Sequence, residues 1–237
     1  MANIVTKQIP NSITCCNLIC GGIATYFAFG GELRLAFLFI VLGAVFDFFD
    51  GMTARLLGVS SPVGKELDSL ADNVTFGLAP AAMVFHQLTL VSYPESMQSV
   101  QQYVPFLAFI ISALSAMRLA KFNLDERQAT SFIGLPTPAH ALFWCSLLVG
   151  MSDCLTAMPY AWLFIVVLAF VSSIMLVAEI PMFALKFKNL SWKDNKVRYI
   201  FIISCLPLLI IFRTSSFAVI IAWYVFLSAV TKNTESK

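Results

Sequence analysis

Four aspartates crowd into one short stretch of the chain, which reads Asp47-x2-Asp50-Gly51-x2-Ala54-Arg55-x8-Gly64-x3-Asp68-x3-Asp72. Apolar runs flank it, LAFLFIVLGAVF from Leu35 on one side and VTFGLAPAAMVF from Val74 on the other. A carboxylate in such company is costly unless it is paired, hydrated or bound to a cation, and ionisable residues within a membrane segment mark functional sites by default. On a helix Asp47, Asp50, Gly51 and Ala54 fall at i, i+3, i+4 and i+7 and form one stripe. Gly64, Asp68, Asp72 and Thr75 repeat the pattern at steps of 4, 4 and 3. Two facing stripes of this kind would enclose four carboxylates in space left open by glycines and an alanine. Hard oxygen ligands suit Mg²⁺ or Mn²⁺, with two ions as the working expectation. Arg55 adds a guanidinium fork suited to phosphate oxygens. The chemistry implied is metal-assisted transfer at phosphorus. A single aspartate at a membrane helix end is ordinarily a solvated terminus; four that keep helical phase, with small residues between them, are not explained that way.

The elements that must carry these stripes are membrane helices. The chain has 237 residues, 59% hydrophobic and only 12% charged, with 22 phenylalanines, and its mean hydropathy is +0.84. A globular domain runs nearer 25% charged. Net charge is +2, and no basic run interleaved with aromatics points to nucleic acid. The cysteines sit mostly inside apolar segments, as small hydrophobes do, rather than in a disulfide or zinc framework. Apolar segments fall near 13–29, 35–57, 71–91, 103–120, 137–152, 161–180, 198–212 and 216–231. Several are short against the roughly 20 residues that span a bilayer. The first is interrupted by Thr14, Asn17, Gly21 and Gly22, and no small-residue cleavage site follows, so it reads as a helix rather than a cleaved leader. With the N-terminus cytoplasmic, thirteen of the 15 lysines and arginines fall on that side, and only Arg34 and Arg213 on the other. That bias supports an even number of spans. It places both termini and the aspartates at the cytoplasmic face.

The aspartate stretch resembles, at all eight of its fixed positions, the signature of the CDP-alcohol phosphotransferases. Chance agreement at eight positions is on the order of one in 10⁹ per start position, given typical residue frequencies. The resemblance implies an integral membrane enzyme that displaces CMP from a CDP-linked lipid with an alcohol. It implies that Asp47, Asp50, Asp68 and Asp72 hold the metals, and that Asp72 also takes the alcohol proton. Gly51, Ala54, Arg55 and Gly64 would accommodate and contact the CDP portion, and a homodimer is the expected assembly.

Other stretches narrow the resemblance. The opening IPNSITCCNLICGG is similar to that of many family members; Pro10 and Asn11 read equally well as a turn capping the first helix or as a substrate contact, and Asn17 lies one turn further in. Residues 116–139, AMRLAKFNLDERQATSFIGLPTPA, hold Arg118, Lys121 and Asn123 at the level of the aspartates. Similar Arg-Leu-Ala-(Arg/Lys)-Phe-Asn and Gly-Leu-Pro-x-Pro-Ala elements mark the phosphatidylserine synthases of the family, with His140 here where a small residue is expected. For Arg118 and Lys121 the plain alternative is topology anchoring. His86, deep in the third helix, reads as a hydrogen-bonded interior histidine. The basic loop from Lys186 to Arg198 suits anionic headgroups.

The expectation is an all-α polytopic membrane protein of about eight transmembrane helices. A six-helix core would occupy 1–182, and the basic loop with two further helices 183–237. By the resemblance, its substrates are CDP-diacylglycerol and L-serine, with Arg118, Lys121 and Asn123 as acceptor-binding candidates. Another acceptor, such as glycerol 3-phosphate or an inositol phosphate, would want a denser cationic pocket. A cation transporter is the alternative from a different class, though such sites sit at the bilayer midplane in interrupted helices.

Overall fold

A computed structural model describes residues 4–125, 132–182 and 191–235. Of the sequence readings, Arg127 and the part of the basic loop before Ser191 lie outside the described residues, as does the C-terminal Lys237. The chain runs as long helices: α1 (Ile4–Phe29), α2 (Leu33–Leu56), α3 (Pro62–Asp72), a π-helical turn (Asn73–Leu78), α4 (Ala79–Leu90), a 3-10 stretch (Gln101–Phe109) continuing into α5 (Ile110–Leu124), α6 (Thr137–Ala157), α7 (Ala161–Val177), α8 (Trp192–Phe212) and α9 (Ser216–Glu235). Among the described residues the extended structure is one antiparallel pair of two-residue strands, β1 (Phe132–Ile133) and β2 (Pro181–Met182).

Among the described residues, five helical stretches are long and apolar enough to cross a membrane: Gln8–Phe29, Leu33–Leu56, Gln101–Leu124, Thr137–Ala157 and Asn195–Val230, the last taking in most of both α8 and α9. Ala161–Val177 is shorter but equally apolar. Large hydrophobic side chains such as Leu38, Phe48, Leu70, Phe170, Ile203 and Ile210 are exposed on the outside. An apolar exterior of this extent requires lipid around it. The protein is an all-helical, membrane-embedded chain.

Inside, the helices approach closely because the facing residues are small. Ala24, Ala28, Ala36, Ala79, Ala81 and Ala82 are fully buried, with Phe76, Met83, Trp144, Leu148 and Ile165 filling the spaces they leave. Small residues at crossings are how membrane helices gain packing without a hydrophobic driving force. Polar pairs join helices too. Gln87 on α4 donates to the Ser152 carbonyl and to Thr156 on α6, while Ser152 donates back to Gln87 Oε1. His140, at the position where a small residue was expected, is fully buried, 2.9 Å from Ser172 on α7, with the Trp144 indole donating to both. The interior hydrogen-bonded histidine is therefore His140; His86 is half-buried against Gly31.

Several helices begin ahead of their apolar runs, α8 at Trp192 inside the stretch read as the basic loop among them. The third rod starts at Pro62, well ahead of the apolar run at 71, and continues through the π turn to Leu90. Ser61 caps it by accepting from the Gly64 amide at 2.9 Å, with Pro62 in the first turn. A polar amphipathic start is invisible to an apolar window, yet it is helix. Pro10 and Asn11 lie inside α1 rather than in a turn before it; proline there forfeits a single bond near the helix start. Gly134, at φ +76, passes so near the end of α7 that a Cβ would stand 2.5 Å from the Leu176 carbonyl oxygen. Its amide donates to Ile180 and that of Leu135 to Met175. The Gly-Leu-Pro element thus seats the start of α6 on α7.

Candidate active site

The C-terminal part of α2 and α3 both pack on α1, and their aspartates approach one another beside it. There Asp47, Asp50 and Asp68 each offer a carboxylate oxygen, all within 4.8 Å of one another. Asp50 is 6% exposed, and its Oδ2 has no hydrogen-bond partner among the described residues. Asp68, ahead of the apolar run, has its carboxyl pushed up to about 7 by desolvation, with the Asp47 and Asp50 charges adding to it. Three converging oxygens and an orphaned buried one fit a divalent cation: the donors are hard, and the positive charge would relieve their mutual repulsion.

Asp72 adjoins this trio, its carboxyl within hydrogen-bonding reach of Asp47. Its Oδ1 accepts from Asn17 Nδ2 at 3.1 Å, and it is buried at 8% exposure. Asn17, itself fully buried, is fixed in turn by Thr75 Oγ1, which donates to its backbone carbonyl at 3.0 Å. This chain of contacts needs two glycines. A Cβ on Gly21 would run into Thr75 Oγ1 and lie 2.8 Å from its backbone; one on Gly43 would lie 2.5 Å from Thr75 Cγ2 and 2.9 Å from Asn17 Oδ1. Gly21→Ala should therefore force α1 off the π turn and cost about 1–3 kcal/mol, the usual penalty of overpacking. A lower thermal midpoint of the detergent-solubilised protein, together with reduced activity, would show it; an unchanged midpoint would mean the crossing is loose.

A cavity of about 320 Å³ opens next to the carboxylates. Asp50 and Asp68 form one wall, Gly51, Ala54 and Gly64 give it width, and Asn11 and Thr14 of α1 close it. A Cβ on Gly64 would lie 2.9 Å from Asn11 Oδ1, while one on Gly51 would meet nothing. Arg55 is exposed just beyond, with its Nε donating to the Gly51 carbonyl.

The three acceptor candidates of α5 part company. Arg118 turns inward, 9% exposed, within electrostatic reach of Asp72; its Nε has no hydrogen-bond partner among the described residues, and its guanidinium lies 5.1 Å from the Phe122 ring centroid. Lys121 is exposed. Asn123 donates to Ser69 Oγ at 2.8 Å and its carbonyl accepts from Lys65 Nζ at 2.7 Å, so it ties α5 to α3. The sequence offered no signal for the partnership of Thr75 and Asn17, nor for the π turn that begins directly after Asp72; such turns recur at functional sites.

Comparison with known proteins places the chain in a family. The family model described as CDP-alcohol phosphatidyltransferase matches residues 7–153, well over half of the chain. The chain is 40% identical over 133 residues to a CDP-diacylglycerol–serine O-phosphatidyltransferase of Bacillus subtilis, covering 56% of this chain and 70% of that protein. It is 38% identical over 131 residues to a protein of the same description from Saccharomyces cerevisiae, covering 52% and 42%, and 33% identical over 141 residues to one from Mycobacterium leprae, covering 56% and 44%. The chain thus spans 70% of the first of these relatives and under half of the other two. With the aspartate stretch inside the matched region, the chain belongs to the CDP-alcohol phosphatidyltransferase family.

Proposed function

We propose that this protein transfers the phosphatidyl group of CDP-diacylglycerol to the hydroxyl of L-serine, releasing CMP and forming phosphatidylserine. The observation that carries the reading is a cluster of carboxylates beside a cavity, with Asp72 at its edge held by Asn17 and within electrostatic reach of the buried Arg118. The names borne by its relatives point to the same reaction.

In this reading the lipid tails stay in the bilayer and the nucleotide enters the cavity between α1, α2 and α3. Gly51, Ala54 and Gly64 leave it room, and Arg55 turns its guanidinium to the phosphates. Asp47, Asp50, Asp68 and the near side of Asp72 would hold Mg²⁺ or Mn²⁺, two ions in all. Such ions, when bound, stabilise negative charge on the attacking and leaving oxygens. Asn17 fixes the Asp72 carboxylate so that one oxygen remains to accept the serine hydroxyl proton. The serine oxygen forms a bond to the lipid-side phosphorus, and the bond from that phosphorus to the CMP oxygen breaks, CMP taking the electron pair. Residues 1–182 form the catalytic core in this scheme, acting as a homodimer, and α8 and α9 are an addition beside α6, against which α9 packs.

Incubating the purified protein with CDP-diacylglycerol and a panel of alcohols tests this directly: CMP release should depend on serine and stop when a chelator is added. Release with glycerol 3-phosphate instead would change the acceptor, and metal uptake into proteoliposomes without nucleotide would favour transport. The site is also proposed to face the cytoplasm. Lys65 lies at the carboxylate end and Gln101 beyond α4, at the other end. In a background without the exposed Cys15 and Cys154, Lys65→Cys should resist impermeant thiol reagents in intact cells while Gln101→Cys labels. The opposite pattern would reverse the orientation.

A further inference from the structure

The π turn after Asp72 packs against α5 with unpaired polar atoms on both elements. A Cβ on Gly77 would lie 2.7 Å from Asn73 Oδ1 and 3.1 Å from Ser115 Cβ, so Asn73 and Ser115 both pack close against the bare backbone of Gly77. Ser115 is fully buried. Its Oγ and Asn73 Oδ1 have no hydrogen-bond partner among the described residues, and neither has Arg118 Nε, one helical turn from Ser115 along α5. Gln87, as deeply buried near the far end of α4, has both ends of its amide engaged. Buried groups of this kind are normally satisfied, and their exceptions call for a partner.

An amino-acid acceptor presents three groups within a few bonds of one another: a hydroxyl, a carboxylate and an ammonium. The hydroxyl belongs at Asp72 and the carboxylate at Arg118. An ammonium brings three donors and no acceptor, and the remaining unpaired atoms here, an amide oxygen and a hydroxyl oxygen, both have lone pairs to offer.

We propose that Asn73 Oδ1 and Ser115 Oγ receive the ammonium group of the acceptor and so select a zwitterionic alcohol over one that lacks the amine. This deepens the serine reading and rests on it. Both side chains are neutral, so the pair holds the ammonium without adding a carboxylate that would compete for the cations.

The test compares L-serine with 3-hydroxypropanoate, which keeps the hydroxyl and carboxylate but carries hydrogen in place of the ammonium. In the wild type the Ki of 3-hydroxypropanoate as a competitor should exceed the serine KM. Ser115→Ala and Asn73→Ala should each raise the serine KM about tenfold or more, the worth of one charge-assisted contact, and leave that Ki and the CDP-diacylglycerol KM within about twofold. Neither quantity depends on what fraction of the sample is folded, and Ser115→Ala removes a single oxygen if Asn73→Ala disturbs the π turn. An unchanged serine KM, or an equal rise in the 3-hydroxypropanoate Ki, overturns the proposal. If wild-type protein ignores serine and releases CMP with another alcohol, the serine reading itself has failed.

Discussion

Asp72→Asn should slow turnover by roughly 10²–10⁴, the usual contribution of a general base, while CDP-diacylglycerol binds as before. The amide keeps an oxygen for Asn17 to donate to, so the contact at 3.1 Å and the packing of the π turn survive. What it loses is the ability to take a proton. Asp47→Asn and Asp68→Asn should behave differently, because their oxygens belong to the tight cluster. They should raise the cation concentration needed for half-maximal activity and weaken CDP-lipid binding together. Equilibrium binding of a CDP-lipid separates the two classes, and single-turnover CMP release measures the first. Near-normal turnover in Asp72→Asn would remove Asp72 from the role of base and leave the cluster to activate the alcohol unaided.

How far the sequence could be read follows from which relations are local to one helix. The aspartate stripes were legible because side chains three and four residues apart share a helix face whatever lies opposite. So were the long helices, since an apolar run of that length has few other fates. The polar start of α3, PVGKELDSLAD, escapes any apolar window, and only the spacing of Gly64, Asp68 and Asp72 put it on a helix. The Gly21, Gly43, Thr75 and Asn17 crossing involves three elements at once, and nothing in any one of them announces the partner. Arg118 and Lys121 show a finer limit. Residues three apart diverge by about 60° around the axis at 3.6 residues per turn, and here that angle separates a buried arginine from an exposed lysine. Asn123, a candidate for binding substrate by its motif, joins α3 to α5 through Ser69 and Lys65.

Arg118→Lys should raise the KM for serine by about ten- to more than a hundredfold and leave that for CDP-diacylglycerol nearly unchanged. A serine acceptor differs from most alcohols in carrying a carboxylate, and the preferred buried partner of a carboxylate is the planar guanidinium, which donates two parallel hydrogen bonds. Arg118 is placed for this: buried, its Nε uncommitted among the described residues, and within reach of the Asp72 charge. Arg55 is exposed beside the cavity with its Nε on the Gly51 carbonyl, a position suited to the nucleotide phosphates. Lysine at position 118 keeps the positive charge, so long-range attraction persists and only the fork is lost. One charge-assisted contact is worth about 1.5–3 kcal/mol, which gives the range stated. The comparison of the two KM values decides between two roles for the same residue. Should the CDP-diacylglycerol KM rise while that for serine holds, Arg118 reads the pyrophosphate, and the acceptor carboxylate must be met elsewhere.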